Sequence, residues 1–182
     1  MLAADPCLLL DPITPADAAR SAQLAKDHDG QGGKETDDSR CEARLALTLE
    51  AQGILSPTVV RPQWGEVEDG DGQIWDFKGP HSRVAIAQRI ATKAAVSGQT
   101  PPSIPASGFP GEFQVKREIS RAIGQQQTGK GVVFDLRRLS VAEARALIAA
   151  VDVEPRIDPE LIRFFPKRED LQNFDGGAPH GN

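Results

Sequence analysis

The stretch WGEVEDGDGQIWDFK, residues 64–78, decides how this chain folds. Asp69-Gly70-Asp71-Gly72 is a strong turn sequence: glycine enters positive φ at no steric cost, and aspartate bonds the backbone N–H groups just beyond it. The arms Trp64–Glu68 and Gln73–Lys78 then read as a β-hairpin. Side chains alternate along a strand, so Ile74, Asp76 and Lys78 share one face and Trp75 and Phe77 the other. Turn length sets what stands opposite Asp76. A three-residue loop over Gly70–Gly72 places Glu66 there, and a two- or four-residue loop places Gly65 there. Glu66 is the first choice for an acid meeting Asp76 and Glu68 the second, while Asp69 and Asp71 read as turn residues.

Outward from the hairpin, helices alternate with short strands. Upstream, Thr14-Pro15-Ala16-Asp17 starts a helix to about Lys26. Asp27–Asp38 is polar, Gly-rich and without apolar periodicity, and reads as a linker. Ser39-Arg40-Cys41-Glu42 reads as a capping box opening a helix to Gln52, with Gly53 as its stop. Leu45, Ala46 and Leu49 form its apolar stripe, and Glu42 points along the same stripe. Thr58–Val60 reads as a short strand. Downstream come a helix carrying Val84, Ile86, Ala87 and Ile90, and an irregular loop over Gly98–Gly111 with four prolines and three glycines. A helix over Lys116–Gln126 turns Ile119, Ala122 and Ile123 inward. A strand over Gly131–Leu136 and a capped helix from Ser140 to Val151 follow, and Asp158-Pro159 opens a last short helix. The expected fold class is α/β, a mixed central sheet with a β-hairpin and flanking helices. Residues 1–38 read as an N-terminal helix and linker, 39–166 as the compact domain and 167–182 as a loose tail.

The 182 residues suit one domain. No run of about 18 apolar residues exists, so no membrane span is expected. Met1–Leu10 lacks a basic flank and is interrupted by Asp5, so it does not read as a signal peptide. Cys7 and Cys41 are too few for a disulfide scaffold; a single Cys7–Cys41 bridge is open to them, although neither spacing nor context demands it. The formal charge is −5, unevenly spread: residues 72–145 hold 11 Lys and Arg against 5 Asp and Glu, or +6, and the rest carries −11. A basic middle between acidic ends suits a phosphate-binding face.

Asp76-Phe77-Lys78 carries the chemistry. An acid and a lysine two apart on a strand project together. The carboxylate suits Mg²⁺ or Mn²⁺, and the ammonium suits an attacking water or the charge developing on phosphate. Glu66 is the second acid and Glu42 the third, because an acid on an apolar helix stripe is costly without a cation or donors. Glu50, nearly a quarter-turn away, is a weaker candidate. Lys116, Arg117 and Arg121 are expected on an outer helix face, tracking a phosphate backbone. Gln114-Val115-Lys116 is a competing Q-x-K pair, Gln125–Gln127 a polar helix end, and His81 a candidate base for metal-free chemistry with Lys78.

A helix carrying Glu42, an acidic hairpin, WDFKGP, a helix ending in Gln and the strand VVFDLRRL together resemble the PD-(D/E)xK nucleases. Within them the chain is similar to the C-terminal toxin domains of bacterial contact-dependent inhibition and related polymorphic toxin systems. The resemblance spans about Ser39–Val151. It implies a restriction-endonuclease-like fold, with Glu42, Glu66 and Asp76 as metal ligands and Lys78 as the catalytic lysine. The family's hairpin acid is normally Asp, where this chain has Glu66. The resemblance further implies cleavage of tRNA or DNA in the cytoplasm of a target bacterium, after secretion as part of a larger delivered protein, and a cognate immunity protein as partner. The rivals are a metal-independent RNase built on His81 and Lys78, and a non-catalytic adaptor domain.

Overall fold

The hairpin closes in the three-residue register. In the computed structural model, which describes residues 15–26, 34–62, 66–101, 103 and 108–172, strand β1 (Val67–Glu68) runs antiparallel to β2 (Ile74–Lys78). Val67 pairs with Trp75 and Glu68 with Ile74, so the next step of the same ladder sets Glu66 opposite Asp76. Asp69 ties the turn. Its Oδ1 accepts from the N–H groups of Asp71 and Gln73, both at 3.1 Å, and its Oδ2 from Trp75 Nε1 at 2.8 Å. Gly70 is required there, because a Cβ would lie 1.9 Å from the Pro57 carbonyl oxygen. Val60 bridges Glu68 and adds a third antiparallel rung. Trp64 and Gly65 lie outside the described residues.

Beyond β2 the sheet is parallel, in the order β1-β2-β3-β4, with β3 at Gly131–Asp135 and β4 at Ile162–Phe165. Parallel neighbours need crossovers. Helices α3 (Arg83–Val96) and α4 (Val115–Gln126) span the first, and α5 (Val141–Val153) spans the second. The alternation of β3 splits the interior in two. Val132 and Phe134 pack under α4 and α5 with Ile119, Ile123 and Leu147. Val133, Trp75 and Phe77 pack under α1 (Pro15–Leu24) and α2 (Asp37–Ala51) with Leu45 and Leu49. Trp75 and Phe77 thus share the face expected of them. Asp76 pairs in register with Val132 and belongs to the opposite face.

Several expectations shift. Helix α2 begins at Asp37, because Thr36 is its cap: Thr36 Oγ1 accepts from Ser39 N at 3.0 Å and Ser39 Oγ returns the bond to Thr36 N at 2.8 Å. Glu42 therefore takes no part in capping. Gly53 stops the helix with φ of 64°. The box at Ser140 and Glu143 forms as read. Strand β4 was not foreseen: four residues after a 3₁₀ turn are too short to show a period, and pairing with β3 makes them a strand. Leu24 and Ala25 of the N-terminal segment are core residues, as is Leu171 in the 3₁₀ turn Arg168–Gln172. No helix among the described residues is long and apolar enough to cross a membrane.

Candidate active site

Parallel strands β2 and β3 end at Lys78 and Asp135, and the helical layers on the two faces part beyond them. The crevice outside the carboxyl ends of such strands is where α/β sheets bind ligands. Here it is a cleft of about 480 Å³. Layer α2 contributes Asp38, Cys41 and Glu42, the strand ends contribute Lys78 and Asp135, and α4 contributes Arg117 and Arg121; His81 and Arg138 complete the polar lining. Four of the eleven basic residues counted in the middle of the sequence, Lys78, Arg117, Arg121 and Arg138, thus meet in the cleft.

Lys78 Nζ forms an ion pair with Asp76 Oδ2. Asp76 is 5% exposed, and among the described residues its Oδ2 accepts no directed hydrogen bond. A buried carboxylate so sparsely satisfied keeps its capacity for a cation. Glu66, half-buried and immediately before β1, pairs with Lys130 at 3.2 Å. Burial pushes its carboxyl above the ordinary range and the Asp76 charge pushes the same way, against the pull of Lys130 and Lys78. Glu42 is also raised, first by burial. Its ion pair with Arg61 at 2.7 Å draws it back, while the charges of Asp76 and Glu66 add to the rise. The register therefore brings Glu66, Asp76 and Lys78 together. Glu42 stands within electrostatic reach of both acids but is engaged by Arg61. Among the described residues no three His, Cys, Asp or Glu side chains form a group able to hold one metal ion. Two carboxylates suit Mg²⁺, which keeps several waters and takes its other oxygens from phosphate.

Arg117, partly buried, and Arg121, exposed as expected of an outer helix face, both line the cleft and both pair with Glu118. Lys116 is exposed at the start of α4. The competing pair Gln114 and Lys116 falls at a helix N-terminus, where residues two apart do not face the same way, so it lacks the strand geometry of Asp76 and Lys78. Gln126 holds Asp158 through two bonds, from Nε2 to the carbonyl at 2.9 Å and from the Asp158 N–H to Oε1 at 2.8 Å, which is a structural tie. Glu50 is likewise occupied. Arg20 donates to it at 2.7 and 2.8 Å and holds its carboxyl below the ordinary range, and the Val59 N–H adds a bond at 2.7 Å. Glu68 is a β1 residue that bridges Val60 through its backbone.

Five residues escaped the sequence reading. Arg61, Lys130 and Glu118 are the partners of candidate residues, and nothing in their own neighbourhoods marks them. Asp135 and Arg137 left a signal: charged residues that close a five-residue apolar strand sit where parallel strands present ligands. Arg137 donates to both oxygens of Asp135, at 2.8 and 2.6 Å, and stacks over Phe165 with its guanidinium carbon 5.2 Å from the ring centroid. Cys41 is disulfide-bonded; Cys7, the other cysteine of the chain, lies outside the described residues. The chain matches no known protein-family model, no curated protein and no solved structure.

Proposed function

We propose that this chain is a metal-dependent nuclease that cleaves phosphodiester bonds of tRNA or DNA at the β2 end of the cleft. The observation that carries the reading is the convergence of Glu66 and Asp76, two partly or wholly buried acids whose charges oppose one another, beside Lys78, which lines the cleft together with Arg117 and Arg121. Glu66 and Asp76 would hold Mg²⁺ or Mn²⁺, and the ion would supply Lewis-acid activation of water and charge neutralisation at the phosphate. Lys78, released from Asp76, is placed to steady the attacking water or the charge that grows on phosphorus. Arg117 and Arg121 would bind flanking phosphates and set the strand's register. Glu42 has a supporting place here, through its charge and its pairing with Arg61. The mixed sheet with flanking helices agrees with a restriction-endonuclease-like fold, and the resemblance to delivered bacterial toxin modules adds a competing bacterium's cytoplasm as site of action and a cognate immunity protein as partner.

The test is a gel of total RNA and plasmid DNA incubated with the protein in Mg²⁺ or Mn²⁺, with and without EDTA. Cleavage that EDTA abolishes is the expected result. Cleavage that survives EDTA would move the chemistry to His81, which lines the same cleft as Lys78 and can act as a base without metal. No cleavage of either substrate with either metal would leave an adaptor domain.

A further inference from the structure

Resting on the nuclease reading, we propose that Glu118 is a positioning residue, holding Arg117 and Arg121 as a two-pronged clamp for the phosphodiester backbone on the cleft wall. Glu118 lies in the first turn of α4 and is fully buried. Arg117 Nε donates to its Oε1 at 3.0 Å, and Arg121 Nη1 donates to its Oε2 at 3.4 Å. Arg117 is fixed a second time, through Nη2 to the Gly111 carbonyl at 2.9 Å. One carboxylate thus spends both oxygens on two guanidinium groups that themselves face the cleft.

The chemistry suits a clamp better than a plain surface patch. Two neighbouring guanidinium groups repel, and a buried acid between them offsets that repulsion while leaving the wall net positive. A guanidinium has five donors in a rigid fork, so fixing one edge against Glu118 orients the remaining donors toward a phosphate at reduced entropy cost.

Glu118→Gln removes a negative charge beside two arginines. If the wall acts only by its charge, nucleic acid binds more tightly to the variant. If Glu118 positions the arginines, binding weakens, by about fivefold to tenfold. The measurement is fluorescence anisotropy of a short labelled RNA strand and a short labelled DNA duplex in EDTA, so that binding is read without cleavage, with circular dichroism to check folding. A second variant covers the case in which Glu118→Gln does not fold: Arg117→Lys with Arg121→Lys keeps both charges and loses both forks, and is expected to weaken binding similarly. Unchanged or tighter binding in the Gln variant overturns the clamp, as does unchanged binding in the Lys pair, and in either case cleavage by the wild-type protein leaves the nuclease reading standing. Absence of binding and cleavage in the wild-type protein removes that reading and the clamp with it.

Discussion

The hairpin buries two aspartates, one near each end, and satisfies them differently. At the turn end Asp69, 6% exposed, accepts three directed hydrogen bonds, from two backbone N–H groups and the Trp75 indole. At the open end Asp76, 5% exposed, has an ion pair with Lys78, and its Oδ2 accepts no directed hydrogen bond among the described residues. Burial is nearly equal, so burial alone does not separate a carboxylate of the frame from one proposed to hold a metal. The difference is in the partners. Fixed donors that saturate a carboxylate make it part of the frame, whereas a single ammonium on a long side chain can be exchanged for another cation.

The sharpest way to break this comparison is to neutralise the open end. Asp76→Asn is expected to lower cleavage by about a hundredfold or more, because a ligand to the activating ion is lost. Its melting temperature should stay within about 5 °C of wild type, because the side-chain shape is kept. Near-normal cleavage by this variant, together with loss of activity in Lys116→Ala, would shift the catalytic pair to Gln114 and Lys116. Next in size is the basic wall. In the Asp76→Asn background, Arg121→Gln should flatten the log–log dependence of nucleic-acid affinity on salt by about one phosphate contact, a slope change near 0.7 to 0.9. Lys34→Gln, exposed and far along the chain, should leave the slope unchanged; equal slopes for the two variants would make the charge asymmetry ornamental.

The turn end should respond in the opposite currency. Asp69→Ala strips the buried Trp75 N–H and the turn of their acceptor, and is expected to cost about 2–3 kcal/mol. A cost of that size lowers melting by about 4–12 °C, while cleavage below the transition stays within about twofold of wild type. A variant that melts normally but cleaves poorly would give Asp69 the role assigned to Asp76. The smallest effect concerns pH. Burial raises the carboxyl of Glu66, so the folded state holds that proton more tightly than the unfolded chain. The resulting stabilisation is complete below the ordinary carboxylate pKa and is lost as pH rises through the raised value. Glu66→Gln stays neutral, so it should melt above wild type at neutral pH and lose the advantage in acid. Thermal scans across pH test this, and an advantage that persists unchanged in acid would show that the cause is packing rather than charge.

The hairpin, its Asp69 turn, the facing of Trp75 against Asp76, the caps at Ser140 and Gly53, and the inward stripe of α4 were legible because each depends on residues within a turn or two of one another. The α2 cap was misread for a related reason. Thr36 and Ser39 are both able to cap, three residues ahead of Ser39 and Glu42 respectively, and the folded chain uses the first pair. Strand β4 was missed because its pairing partner, β3, lies about 30 residues upstream.

For the candidate site, the sequence by itself determined which groups are present on one strand face: Asp76 and Lys78 are forced together by the period of two, and the Gly70–Gly72 turn offered Glu66 as their neighbour in one of its registers. Tertiary structure decided how each group is paired. It drew Glu42 to Arg61, Glu66 to Lys130, and Arg117 and Arg121 to Glu118, and it set the outer face that carries those arginines along the cleft. Local periodicity fixes the direction of a side chain relative to its own backbone. The charge it finally meets depends on which distant element packs against that face, and that is settled by burial of the two apolar cores on either side of the sheet.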